Sequence, residues 1–467
     1  MEFAGGVVGL VVVHAPTARA TAPKPVAVKH VPSPLDPIVA DISRFVETSR
    51  GLKFKHAVMA TLLDDAAFNK RLVGDKGLSD DDPGLAIQRT LGFVDPTMTA
   101  ATATAAMSHS NDVLGFYDVV SKELFVRSAS STNPTAYTRA VLAHELTHAL
   151  QDQNFNLSRG LAFGVTDERD ISLRALAEGD AIRVESAYYA AMSPDDQKSV
   201  DTVDQANSKA AQDAAQLAAQ QTTPAWPGEN GLQVLELFPY QNGPRLVASL
   251  IAQGGQAALD NAFRNPPVSS EQVLFPDKAR TNEQPVAVAT PPADGNVIGK
   301  GPMGVLTLTA FFAAQWLQTG WPQYAWGGGS YVAYRNNTNA TCVRFTVVLD
   351  TADAAAYMLR SLQLVSLLHG NTTVNGPKSA LVNAPVNYTT CGDPVVRNPL
   401  EASKMLDRWN QANNPGAYSP TTPYHYVPPQ TLQPMSPPSQ SSEYVPPPTP
   451  TTQPPNCINA TLVGVCN

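Results

Sequence analysis

Two histidines and a glutamate occur together in the segment VLAHELTHALQDQNF, which covers residues 141–155. His144 and His148 are one helical turn apart, so on a helix their imidazoles share one face and can bind one metal ion. Glu145 lies at the edge of that face, where its carboxylate can reach a water on the metal and act as a general base. The pattern predicts a helix that binds Zn²⁺ through both histidines. The alternative is a structural helix whose two histidines are merely hydrogen-bonded.

A zinc site of this kind needs a third protein ligand and keeps one position open for water. The longer motif H-E-x-x-H-x-x-G-x-x-H does not continue here, because Gln151 and Asn154 stand where it requires Gly and His. Glu178 in SLRALAEGDAIRVESAYY is the predicted third ligand, since it interrupts an apolar segment and Gly179 beside it permits close helix packing. The alternative for Glu178 is an ion pair with Arg174, one turn earlier.

Two aspartates near these residues have less specific interpretations. Asp180 follows Glu178 by two positions and points to another side of the helix, which favours a supporting or structural role over metal binding. Asp152 follows His148 by one helical turn and could orient a histidine, although a solvated carboxylate is the favoured interpretation.

A water activated in this way could hydrolyse a peptide bond, and that reaction also requires a donor to the oxyanion that forms in the transition state. The candidates are Tyr240 with Arg245 in FPYQNGPR, and Tyr188 or Tyr189 near Glu178. A structural role is the simpler interpretation for each of them.

The elements around these residues follow from local patterns. VLGFYDVVSKELFVR predicts a β-hairpin around Ser121-Lys122. The metal-binding helix is predicted to begin with Asn133 as N-cap and Pro134 in its first position, and the Glu178 helix to run from Thr166-Asp167 to about Tyr189.

Further along the chain, residues 231–275 are predicted to be mainly helical, with interruptions at FPYQNGPR and NPPVSSEQ. SYVAYRNN and TCVRFTVVLD alternate apolar and polar residues, and TADAAAYMLRSLQLVSLL is amphipathic, so a strand-strand-helix unit is expected. Together these patterns predict an α+β protein, mainly helical with small sheets.

The chain of 467 residues divides by composition into six regions. An apolar run before Ala18 and Ala20 is typical of a signal peptide, although a buried strand or helix is the alternative. The predicted regions are a signal peptide (1–20), a Pro-rich spacer (21–37), an N-terminal α/β region (38–110), a metal-binding region (111–290), a strand-strand-helix region (291–413) and a disordered Pro-rich tail (414–467). We therefore expect a secreted or cell-envelope protein, with no membrane span left after signal cleavage.

The charge balance of 32 basic and 40 acidic residues gives a net charge of −8, and no basic run is long enough to bind a phosphate backbone. We therefore do not expect the protein to bind nucleic acid. The four cysteines lie in the C-terminal third and predict disulfides in an exported chain. The favoured pairs are Cys342 with Cys391, and Cys457 with Cys466, although four cysteines allow other pairings.

HELTHAL, with a preceding hairpin and a downstream Glu178, resembles the gluzincin group of zincin metallopeptidases. The chain is also similar, from Val46 to about Val365, to exported bacterial proteins of that type that contain HELTHALQDQ, ALxEGDA, FPYxxG, PPxSxEQVL and a WGG/YVxYR unit. This resemblance implies a zincin-like fold with the active-site helix beneath the edge of a small sheet, and Zn²⁺ bound by two histidines and a glutamate. One position departs from those proteins, because Phe275 stands where they often have His.

Two functions are therefore expected as alternatives. The first is an exported zinc-dependent metallopeptidase that hydrolyses peptides or proteins, with His144, His148 and Glu178 as ligands and Glu145 as base. The second is an envelope binding protein that keeps the fold as a scaffold, which Phe275 and the tail favour. The tail is either a flexible spacer or a ligand for a partner in the cell envelope.

Overall fold

The computed structural model describes residues 33–73, 79–102, 113–128, 134–162, 168–219, 228–315, 321–369, 371–376 and 384–392. In these ranges the protein is α+β, as expected, with helices predominating over two small sheets. The predicted signal peptide, most of the spacer, the tail and the Cys457–Cys466 pair lie outside the described residues. None of the described helices combines the length and the apolar character that a membrane crossing requires.

The helices and strands follow one another along the chain without a regular alternation. The helices are α1 (Asp36–Arg50), α2 (Asp65–Val73), α3 (Pro83–Leu91), α4 (Ala136–Phe155), α5 (Glu168–Ala190), α6 (Pro194–Ala219), α7 (Gly228–Arg264), α8 (Ser270–Leu274), α9 (Pro276–Arg280), α10 (Val305–Ala313) and α11 (Ala352–His369). The strands are β1 (Ala60–Leu63), β2 (Gly115–Asp118), β3 (Glu123–Arg127), β4 (Asn296–Pro302), β5 (Trp326–Arg335), β6 (Thr341–Leu349), β7 (Thr372–Asn375) and β8 (Val386–Cys391).

The first sheet has three strands in the order β1-β3-β2, with β1 parallel and β2 antiparallel to β3. The strands β2 and β3 form the predicted hairpin, and Lys122 in its turn has a φ of 66°. Helices α1 and α4 pack on this sheet through a shared apolar cluster that includes Val39, Leu124, Val126, Leu142 and Leu146. The predicted metal-binding helix is therefore fixed against the hairpin.

Helix α4 begins later than predicted. Its N-cap is Thr135, whose hydroxyl accepts a hydrogen bond from the Thr138 amide at 3.1 Å. Pro134 therefore precedes the helix instead of occupying its first position, and Asn133 lies outside the described residues. A threonine in extended backbone satisfies a free amide of the first turn, which is why the helix starts after it. The expected start of α5 at Thr166-Asp167 is also outside the described residues.

Helix α7 packs along α5 at a contact between two glycines. A Cβ on Gly179 would lie 2.3 Å from the carbonyl of Gly243, so the two backbones approach as closely as the sequence predicted near Glu178. The predicted interruption at FPYQNGPR is wrong, because α7 continues through Pro239 and Pro244. Packing against α5 outweighs the loss of two backbone donors there. The helix is broken instead at Gly254-Gly255, where the φ of Gly255 is 63°.

The second sheet is antiparallel, with strand order β4-β5-β6-β8-β7. The predicted strand-strand-helix unit is present as β5, β6 and α11, whereas the sequence did not predict β4, β7 and β8. Cys342 on β6 and Cys391 on β8 are register partners and form a disulfide, which confirms that predicted pair. The largest apolar cluster lies between this sheet and the helices α3, α10 and α11.

Candidate metal centre

Helices α4 and α5 lie side by side and bring three potential metal ligands together. The Nε2 atoms of His144 and His148 are 3.1 Å apart, and Glu178 Oε2 is 3.2 Å from the first and 3.4 Å from the second. Ligand atoms held 2.0–2.1 Å from a tetrahedral Zn²⁺ lie roughly 3.3 Å apart. The predicted ligand set of His144, His148 and Glu178 therefore forms a group that can hold a metal ion.

The hydrogen bonds of the other ring nitrogens determine which tautomer each histidine adopts. His144 Nδ1 lies 3.1 Å from Glu185 Oε2, and His148 Nδ1 lies 3.1 Å from Gln151 Oε1. Both partners are acceptors, so each Nδ1 carries a proton, and each Nε2 can offer a lone pair once a metal ion displaces any proton on that nitrogen. Two lone pairs and a carboxylate oxygen then converge on one point, an arrangement that a cation stabilises.

The charges around this point also favour a cation. Burial alone would lower the pKa of His144, but its hydrogen bonds to Glu178 and Glu185 outweigh burial and raise the pKa to about 10. Burial would raise the pKa of Glu178, whereas the two histidines hold that pKa well below its usual range. Two carboxylates thus face His144, and a metal ion can replace the proton that balances them.

Glu145 is buried beside the ligands and is held by the hairpin. Its Oε2 accepts a hydrogen bond from the backbone amide of Tyr117 at 2.8 Å, on strand β2 at the edge of the first sheet. Burial raises the pKa of Glu145, although the nearby imidazoles of His144 and His148 counteract it. A carboxylate with a raised pKa accepts a proton more readily, which is the property that a general base needs.

Asp152 differs from its favoured interpretation as a solvated carboxylate. It is 5% exposed and accepts hydrogen bonds from the Tyr117 hydroxyl at 2.8 Å and from Lys122 Nζ at 2.7 Å. It therefore orients neither histidine. Its role is to fix the hairpin to α4, because Tyr117 contacts both Asp152 through its side chain and Glu145 through its backbone.

Asp180 occupies a supporting position behind His148, as expected. Gln151, which accepts from His148, donates its amide to Ala177 O at 3.0 Å and to Asp180 Oδ2 at 3.2 Å. Asp180 is fully buried and also accepts from Arg50 Nε at 2.5 Å. A chain of polar contacts therefore connects the metal ligand to the last residue of α1.

The four candidate donors to the oxyanion differ in whether they contact the metal group. Tyr240 hydrogen-bonds Glu178, and burial together with that carboxylate raises its pKa well above the usual range. The hydroxyl of Tyr189 donates to Asp201 instead, and Tyr188 hydrogen-bonds Arg139. Arg245 is half-buried and forms no hydrogen bond or ion pair with the described residues of the metal group. Tyr240 alone among the four candidates lies at the metal group.

Arg174, the alternative partner of Glu178, is exposed to solvent, while Glu178 faces the two imidazoles.

Phe275 packs against Tyr324, with ring centroids 5.0 Å apart. Tyr324 in turn covers Lys278, which sits among Glu271, Glu283 and Asp350. Glu271, Glu283 and Asp350 form a second acidic group, and Lys278 neutralises part of its charge. Phe275, where the similar proteins often have His, contributes an aromatic contact beside this group.

The sequence interpretation missed three residues that support the site. Glu185 follows Glu178 by two helical turns, so the spacing on α5 could have indicated that both carboxylates share a face. Arg50 and Tyr117 reach the site from distant parts of the chain, and no local pattern indicates their contacts.

No protein-family model, curated protein or solved structure matches this chain. The resemblance to gluzincins therefore stays a prediction from the motifs.

Proposed function

We propose that the protein is an exported zinc-dependent metallopeptidase with a zincin-like fold. The observation that carries the proposal is the convergence of His144 Nε2, His148 Nε2 and Glu178 Oε2 at mutual distances of 3.1–3.4 Å, with Glu145 buried beside them. Two imidazoles and one carboxylate are a ligand set of catalytic zinc sites, and three protein ligands leave a position open. The placement of α4 beneath the edge strand β2 agrees with the resemblance.

The residues of this chain have distinct roles in the proposed reaction. When bound, Zn²⁺ supplies a Lewis acid that polarises a carbonyl and acidifies a water. Glu145 accepts the proton of the attacking water and returns it to the leaving amine. Tyr240 remains protonated because its pKa is raised, so once Glu178 binds the metal its hydroxyl can donate instead to the oxygen that becomes negative in the transition state.

An extracytoplasmic setting is part of the proposal. The disulfide between Cys342 and Cys391 supports it, because such bonds persist in oxidising compartments. The apolar run before Ala20 supports export as well. The substrate is a peptide or protein, which reaches the ligands on the side where His148 and Glu178 are partly exposed.

The decisive experiment compares the wild type with Glu145→Gln. We expect both proteins to bind one Zn²⁺ per chain, because Glu145 is not a ligand, and we expect Glu145→Gln to hydrolyse peptides about 10²–10⁴-fold more slowly. Zinc content is measured by elemental analysis and hydrolysis with a fluorogenic peptide library. The matched control is Glu123→Gln on strand β3, whose carboxylate lies 4.0 Å from Arg71 and not among the metal group, and this variant should retain activity.

A zinc-loaded wild type that cleaves no peptide in the library would contradict the catalytic proposal. That outcome would favour the alternative, a catalytically inactive binding protein of the cell envelope that keeps the metal as part of its scaffold. A wild type that binds no zinc would contradict both.

A further inference from the structure

A continuous chain of buried polar contacts begins at His148 and ends at Arg50, outside the ligand set. His148 Nδ1 contacts Gln151 Oε1 at 3.1 Å, and Gln151 Nε2 contacts Asp180 Oδ2 at 3.2 Å. Asp180 Oδ2 then accepts from Arg50 Nε at 2.5 Å. The side chains of Arg50 and Asp180 are both fully buried, so their contact is shielded from bulk solvent.

The side-chain amide of Gln151 has one favoured orientation, so it always presents its oxygen to His148 and its N–H₂ group to Asp180. Both of its N–H groups are used, one by Ala177 O and one by Asp180 Oδ2. A flipped amide would place its oxygen against that carbonyl and that carboxylate, and its N–H₂ against His148. The charge of Asp180 therefore keeps Gln151 Oε1 towards His148, which places the proton on Nδ1 and leaves Nε2 free for a metal.

Two arginines pair with the Asp180 carboxylate, each at a different oxygen. Arg183 binds Oδ1 at 2.8 Å and is 29% exposed, whereas Arg50 binds Oδ2, the oxygen that also receives Gln151. A buried carboxylate is stable in its charged form only when it is paired and hydrogen-bonded. Arg50 is the partner on the side of the metal centre.

Arg50 is itself held rigidly by residues from other helices. Its Nη1 donates to Gln256 Oε1 at 2.7 Å, and its Nη2 forms an ion pair with Asp260 at 2.7 Å. The guanidinium also lies beside the stacked rings of Phe155 and Phe263, 5.9 and 5.7 Å from their centroids. Its position relative to Asp180 is therefore determined by α4 and α7 together.

We propose that Arg50 is a positioning residue of the metal centre, which acts through Asp180 and Gln151 to fix the tautomer and orientation of His148. The inference rests on the metal site of the proposed function, not on peptide hydrolysis. Its test measures zinc affinity without any substrate, so it can fail while the peptidase proposal holds, and the reverse is also true.

The experiment is a double-mutant cycle on the full chain, with Zn²⁺ affinity measured by competition against a chelator. Gln151→Met should weaken zinc binding about 10–100-fold, the usual cost of removing a group that orients a ligand. Arg50→Met should weaken it about tenfold. Because Arg50 acts through Gln151, the double variant should bind zinc no more weakly than Gln151→Met alone. Losses that multiply, or wild-type affinity in Arg50→Met, would overturn the proposal.

Arg183→Met is the matched control, because it removes the same charge from the other oxygen of Asp180. Its zinc affinity should stay within about twofold of the wild type. If Arg50→Met does not fold, Asp180→Leu takes its place in the cycle. Leucine offers Gln151 no acceptor in any rotamer, and the same non-additivity with Gln151→Met is expected.

Histidine side-chain NMR of the zinc-loaded protein separates a positioning role from a general loss of stability. In the wild type we expect hydrogen-bonded Nδ1–H signals from both His144 and His148. In Arg50→Met the His148 proton should exchange rapidly, whereas the His144 proton, bound to Glu185, should remain. Equal loss of both signals would show a structural effect only and would contradict the proposal.

Discussion

At the scale of single residues, α5 supplies two carboxylates to one imidazole. Glu178 lies 3.2 Å from His144 Nε2, and Glu185 lies 3.1 Å from His144 Nδ1. The two differ in their roles, because only the first faces the metal position. Glu185 takes the ring proton and so determines which nitrogen His144 presents.

We therefore predict that Glu185→Met lowers zinc affinity about 10–100-fold, since the His144 ring loses its acceptor. Glu185→Gln keeps an acceptor oxygen and should recover most of that affinity. Both are measured by chelator competition, with unfolding of the metal-free proteins as a control for stability. Equal losses in the two variants would show that the charge of Glu185, rather than its hydrogen bond, is what matters.

At the scale of elements, the distance between α5 and α7 depends on Gly179 and Gly243. Replacing a helical glycine by alanine ordinarily stabilises a helix by about 0.5–1 kcal/mol. Here the new Cβ of Gly179→Ala would lie 2.3 Å from backbone atoms of Gly243. The helices must separate, and the segment that carries Glu178 must move with them.

We predict that Gly179→Ala lowers the free energy of unfolding by about 1–3 kcal/mol, the usual cost of overpacking, and also weakens zinc binding. Gly243→Ala should do the same, because its Cβ would lie 2.1 Å from Ala175 O. Gln233→Ala on the exposed face of α7 is the control, with a change within about 0.5 kcal/mol. Denaturant unfolding measures all three, and a stabilising Gly179→Ala would contradict the predicted contact.

The elements also show what local patterns can predict. The hairpin, α4, α5, β5, β6 and α11 were predictable because each has a clear period or cap. Strand β4 was not, since NVIGKGP lacks alternation and carries two glycines and a proline. The prolines of FPYQNGPR suggested a break in α7, but packing against α5 keeps the helix continuous through this segment.

Local sequence patterns likewise predicted only part of the metal group and its surroundings. The spacing of His144, Glu145 and His148, and the position of Glu178 within an otherwise apolar segment, predicted the group that the structure brings together. Arg50 contacts Asp180 across 130 positions of sequence, and such a contact depends on tertiary packing that no local pattern records.

At the scale of the whole molecule, the disulfide and the metal centre belong to different parts of the fold. Cys342 and Cys391 join β6 to β8 in the five-stranded sheet, whereas the metal ligands lie on α4 and α5. Stability and metal binding should therefore respond separately to loss of the disulfide.

We predict that the double variant Cys342→Ala, Cys391→Ala loses about 2–4 kcal/mol of stability, a typical value for a disulfide, and keeps wild-type zinc affinity. Thermal unfolding with and without a reductant checks the first part, and chelator competition on the folded protein checks the second. Zinc affinity that falls together with stability would show that the second sheet supports the metal site.

The position of Arg50 at the end of α1 limits where a cut in the chain could leave the metal group intact. A cut before Ser33 leaves every described contact of the metal group in place. A cut in the loop after Arg50 leaves its guanidinium on a separate fragment, held only by noncovalent contacts with Asp180, Gln256 and Asp260. Removal of residues 38–110 would also take β1 from its sheet. We therefore expect residues 38–110 to stay with the folded protein, because their removal would break these contacts.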